Sequence, residues 1–154
     1  MATHKKLMTL LSKRNIDEKK RHELVYAFTN GRTKSTKDLI QKEINDLCWK
    51  LENEFQFYTY IDPYLEAFKK KKRSVVLAIA SEVGIKEPNS WSSFNSFMKK
   101  SSVHKKALSK YDLEQLDDLI RQFKAIENNY KKSAKKSGTK AWSHSLGLPQ
   151  ISSN

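Results

Sequence analysis

The sequence predicts an all-α protein, a tandem duplication of a three-helix unit linked by a long central helix, and three observations predict it. Apolar residues recur at intervals of three and four behind capping residues. Only four Gly and three Pro interrupt 154 residues. Above all, the chain lies on itself without a gap when shifted by 69 positions. Leu7, Leu10, Leu11 and Ile16 fall on Val76, Ile79, Ala80 and Ile85, and Val25 and Phe28 fall on Phe94 and Phe97. Leu39, Ile44, Leu47 and Leu51 fall on Leu108, Leu113, Leu116 and Ile120. Asn15 falls on Gly84, and both residue types tolerate the left-handed conformation that ends a helix. What the copies share is what each needs to bury a core, so function is sought where they differ.

The first helix is expected over 4–14, with Leu7, Leu10 and Leu11 on one face. Asp17 caps a second, with the stripe Leu24, Val25 and Phe28, ending at Asn30-Gly31. After a polar connection, 32–37, a third presents Ile44, Leu47, Cys48, Leu51 and Phe55. The aromatic run 55–61 has no strand to pair with and reads as an apolar strap between copies. Asp62-Pro63 opens a fourth helix reaching Val83, and its first half has no counterpart in the first copy. A fifth starts at 88–90 and turns Trp91, Phe94 and Met98 inward. Ser109 to Asp112 is close to a capping box, with Asp in place of Glu or Gln, and opens a last helix bearing Leu113, Leu116, Ile120, Phe123 and Tyr130. The domains so drawn are 1–61, 62–134 and a flexible basic tail, 135–154, whose Trp142, Leu146 and Leu148 are costly to leave wet.

A chain of this length can bury roughly 70% of its unfolded surface, so it needs no covalent staple. The lone Cys48 excludes an internal disulfide and, beside Leu47 and Leu51, reads as a buried thiol in a reducing compartment. No apolar run suits a signal peptide or a membrane span, so a cytoplasmic protein is expected. His4, His22, His104 and His144 are scattered, without metal-ligand spacing or an acidic partner in register. With no phosphate-cradling loop or nucleophile elbow either, no enzyme, metal or cofactor is expected.

Charge carries more information. The net charge is +13, and residues 69–106 hold ten basic and two acidic side chains. Within them Lys69, Lys70, Lys71, Lys72 and Arg73 wrap a helix as a collar, at about 100° per residue. Lys99, Lys100, Lys105 and Lys106 surround one interhelical turn, and the tail adds Lys135, Lys136 and Lys140. A charge run is usually only a solvated face, but two converging basic segments point to phosphate neutralisation, with DNA favoured over RNA. Ala80 to Gly84 also suits a helix-turn-helix presenting Ser92, Asn95, Ser96 and Lys99 to a groove, although the loop through Pro88 is long and stiff for one. Tyr58 and Tyr60 are the candidates for stacking on unpaired bases.

The segment Tyr26 to Leu39, with Gly31, Ser35, Asp38, Leu39 and Glu43 at its marked positions, resembles the Mu-like phage regulatory protein GemA family over about residues 4–130. The second copy departs from the pattern by losing the glycine and the aspartate. The resemblance implies two related helical units in a phage or prophage regulator, acting in a bacterial host on nucleic acid or the machinery that handles it. It carries over no catalytic residue. The expected function is therefore non-enzymatic nucleic-acid binding through the basic second copy, with the near-neutral first copy as scaffold or homodimer surface. The alternative is a small adaptor or inhibitor that grips an acidic host protein, with Trp142, Tyr58 or Tyr60 as its anchors.

Overall fold

Helices in this chain begin where a polar side chain takes the place of a missing backbone partner. Thr3, Asp17, Asp112 and Thr139 each accept the N–H three residues on, those of Lys6, Lys20, Gln115 and Trp142. The computed structural model describes residues 1–53 and 57–148, apart from the side chains of 57–61. Its α-helices are α1 His4–Lys13, α2 Glu18–Phe28, α3 Gln41–Asn53, α4 Phe57–Glu82, α5 Ser92–Lys100, α6 Leu113–Ala134 and α7 Lys140–Ser145. Two 3-10 turns, Thr36–Asp38 and Leu108–Lys110, precede α3 and α6. The fold is all-α, with no strand among the described residues beyond an isolated Glu87–Ser90 bridge. The chain divides into two compact units, 1–70 and 71–154, at a point within α4.

In the first unit α1 packs against α3. Leu7, Leu24, Val25, Leu47 and Leu51 lose all their solvent contact, each contributing on the order of 1.5–3 kcal/mol of burial. Cys48 is buried beside them, and burial pushes its thiol above the ordinary value. The buried Thr29 hydroxyl donates to the Val25 carbonyl at 2.8 Å and accepts the Thr33 N–H at 3.2 Å, closing the turn after α2. In the second unit Val76, Phe94, Leu116, Leu119 and Phe123 form the centre of the core. Phe97 and Phe94 meet Phe123 with ring centroids 5.4 and 6.4 Å apart.

Each unit runs helix, helix, 3-10 turn, helix, yet no single shift relates the two series. The ends of α1 and α4 correspond at 69: Asn15 (φ 51°) and Gly84 (φ 76°) end them, and Ile16 and Ile85 donate to the carbonyls of Leu11 and Ala80. The 3-10 turns start at Thr36 and Leu108, an offset of 72. The same offset separates Glu43, which accepts from the Ile40 N–H at 2.9 Å, and Gln115, which accepts from that of Asp112 at 3.3 Å. A gap-free register at 69 therefore fails after α4, since α2 and α5 already end 72 residues apart, at Phe28 and Lys100. Three residues are nearly one helical turn, so apolar residues still meet apolar ones at the wrong shift.

Four further expectations need correction. α4 begins at Phe57, so part of the aromatic run is helical and Pro63 is its seventh residue, not its first. The fixed φ of proline is itself helical, so the helix can run through it, but at a cost of about 3 kcal/mol from the lost hydrogen bond and the crowding of the carbonyl four residues back. The capping box is Asp112 with Gln115, not Ser109 with Asp112. Within the described residues the tail forms a helix: α7 packs on α6, Thr139 Oγ1 donates to the Ser133 carbonyl at 2.7 Å, and Tyr130 Oη lies 2.6 Å from His144 Nδ1. Trp91 is not inside but 51% exposed.

Candidate nucleic-acid interface

The five cations of the run 69–73 do not make one solvated collar. Lys69 Nζ lies 3.3 Å from Glu23 and 3.7 Å from Glu66, with its side chain only 16% exposed. Lys72 is bonded to Asp117 of α6. Arg73 is partly buried, whereas Lys70 and Lys71 are exposed. Lys69 and Lys72 thus each tie α4 to a helix of their own unit, and their charge is neutralised where it stands.

The turn after α5 is different. Lys99 and Lys100 occupy the last turn of α5, where a cation is favoured by the helix dipole, and both are exposed. Lys105 is exposed at a left-handed φ of 48°. None of these three has a carboxylate partner among the described residues. The turn is fastened to α6 along its whole length. Gln122 accepts the Val103 N–H at 2.9 Å and donates to the Ser101 carbonyl at 2.8 Å. His104 Nε2 lies 3.1 Å from Asp118, and Lys106 is bonded to Gln115 while its Nζ stands 5.2 Å from the Tyr111 ring centroid. Beneath them the buried Ser102 hydroxyl meets Tyr111 Oη at 2.8 Å. Lys106 is thereby partly committed, and Lys99, Lys100 and Lys105 remain as the outward charges.

The tail cations are placed by α6 and α7: Lys135 follows the end of α6, Lys136 is exposed in the connection, and Lys140 begins α7. Lys140 also lines an open cleft of about 480 Å³ with Tyr130 and His144. Tyr58 and Tyr60 have side chains outside the described residues. Ser92, Asn95, Ser96 and Lys99 are all exposed on α5.

Sequence reasoning missed three things. The histidines have partners: His104 finds Asp118, His144 finds Tyr130, His4 lies 3.1 Å from Thr36 Oγ1, and His22 Nε2 lies 3.9 Å from Glu18, an acidic residue in helical register after all. Asp117 serves Lys72 of α4, and Asp118 serves His104 as well as Arg121, three residues on along α6. Trp91 stands in the open with Lys86 Nζ 4.5 Å from its ring centroid. His104–Asp118, His144–Tyr130 and Lys72–Asp117 each join two different elements, so a linear reading does not pair them.

Among the described residues there is no group of three or more His, Cys, Asp or Glu arranged to hold a metal ion. No helix among them is long and apolar enough to cross a membrane. Comparison with known proteins finds no matching family model, curated protein or solved structure.

Proposed function

We propose that the chain is a non-enzymatic nucleic-acid-binding protein that contacts backbone phosphates through the basic turn of its second unit. The resemblance to GemA-like regulators makes a phage or prophage regulator in the bacterial cytoplasm the setting. One observation carries the reading. Lys99, Lys100 and Lys105 project from a single fastened turn with no carboxylate partner among the described residues. Such a turn is a ready contact for phosphates, whose binding releases counterions.

Mobility shift at roughly 50 and 200 mM salt tests it. Wild type should bind at low salt and weaken steeply at high salt. Replacing Lys99, Lys100 and Lys105 together by Ala should reduce the dependence of log affinity on log salt by about two to three. An unchanged slope would remove the turn from the interface. The exposed Trp91 favours a second reading, an adaptor or inhibitor anchored on an acidic host protein. No shift on DNA or RNA, together with a stable complex from host lysate that Trp91→Ala abolishes, selects that reading.

A further inference from the structure

Folding ordinarily hides most of a tryptophan, and Trp91 is half exposed at the start of α5. Its ring nevertheless has neighbours. One side meets Phe94 edge-on at 5.9 Å, and Lys86 Nζ lies over the ring, 4.5 Å from its centroid. The Trp91 carbonyl accepts the Asn95 N–H at 2.8 Å, so helical register begins at Trp91. Asn95 and Lys99 follow it at intervals of four and are both exposed, while Phe94 and Met98 are buried. Four residues advance about 6 Å, so ring, amide and ammonium form a row along one side of the helix. The stretch 92–100 contains no acid. The nearest carboxylate in sequence, Glu87, accepts from the Ser93 hydroxyl at 3.2 Å.

We infer that Trp91 is a stacking platform for an unpaired base, with Asn95 and Lys99 following the same strand, so that the nucleic acid taken by this unit is single-stranded. The inference rests on the nucleic-acid reading above and names the form of the strand. An indole stacks on any base through its π-face, and a neighbouring cation compensates the phosphate attached to that base. In a duplex the base faces are already covered by their neighbours, and Trp91 would meet only edges and sugars. A base that settles on the ring displaces Lys86, whose ammonium then faces the strand. The positive, acid-free row favours a polyanion over an apolar protein groove.

The test uses the full chain with Trp49→Phe and Trp142→Phe, which leaves Trp91 as its one indole. A short oligothymidylate should quench its emission, and the thymidylate–adenylate duplex of equal length should not. Trp91→Ala should weaken binding of the single strand roughly ten- to hundred-fold, and Trp91→Phe should retain most of it. That loss should persist at high salt, because stacking releases no counterions, whereas the loss from Lys99→Ala should shrink as salt rises. Thermal melting matched to wild type confirms that the exposed site tolerates both replacements. Equal single-strand affinity for wild type and Trp91→Ala, while the Lys99, Lys100, Lys105 variant loses binding, would overturn stacking and leave the phosphate contact standing. Equal quenching by the duplex would overturn the strand preference, and no binding of any oligonucleotide by wild type would sink both proposals.

Discussion

Gly84 shows how much one residue can decide. It ends α4 at a φ of 76°, and a Cβ built there would stand 3.2 Å from His144 Nε2. Gly84→Ala is expected to lower the unfolding free energy by about 1–2 kcal/mol from the left-handed backbone, with the displaced imidazole adding to it. Denaturant melts of the two proteins measure this. Glu43 sets a pH dependence in the first unit. Its bond to Arg32 holds the carboxyl below the ordinary 4.5, against partial burial and with help from the Ile40 N–H. A depressed folded value means stability that is present above the unfolded value and lost as pH falls through the folded one. Glu43→Gln should therefore be the less stable protein at neutral pH, and its deficit should narrow in melts taken below about pH 4. At this scale the helix-ending roles of Asn15 and Gly84 were legible, since residue type alone favours them. The exposure of Trp91 was not, because an apolar ring next to Phe94 reads as core until the helix is oriented.

At the scale of elements, local capping explains where most helices start, and it predicts the effect of removing a cap. Asp112 and Gln115 satisfy each other's backbone N–H at the head of α6. Asp112→Ala should cost about 1 kcal/mol in a chemical melt, whereas a replacement at the exposed Ser109 should cost little. Asp17 was readable as a cap because its helix follows at once. The box at Asp112 was misplaced by one turn, because Ser109 offers the same spacing to an acidic residue. The 69-residue shift fails for a related reason: a slip of three residues turns a helix face by only about 60°, so most apolar residues still meet apolar ones, and the trace it leaves is small, as where Cys48 falls on Asp117 at 69 but on Ile120 at 72. Side-chain bonds to the backbone are what distinguish the registers, as Glu43 and Gln115 do. The Ser, Gly and Lys content of the tail suggests flexibility, but Thr139 and Tyr130 tie α7 to α6 through contacts that composition does not show.

For the whole molecule, charge is divided unequally between the units. Residues 1–70 carry fourteen basic and ten acidic side chains, and residues 71–154 carry sixteen and seven. The excess was visible in the sequence, but its disposition was not. Lys69 and Lys72 find their carboxylates 46 and 45 residues away, and no helical periodicity announces such a pair. The candidate site was thus legible as a composition, and only the fold distinguishes cations that brace helices from those that face outward. Gln122 has the farthest-reaching effect among the braces, for it holds both ends of the turn 101–103 at once. A turn held at both ends has given up much of its conformational entropy during folding. If it takes a polyanion as proposed, docking would incur little further ordering of the backbone, and capture could proceed at the pace of electrostatically steered diffusion.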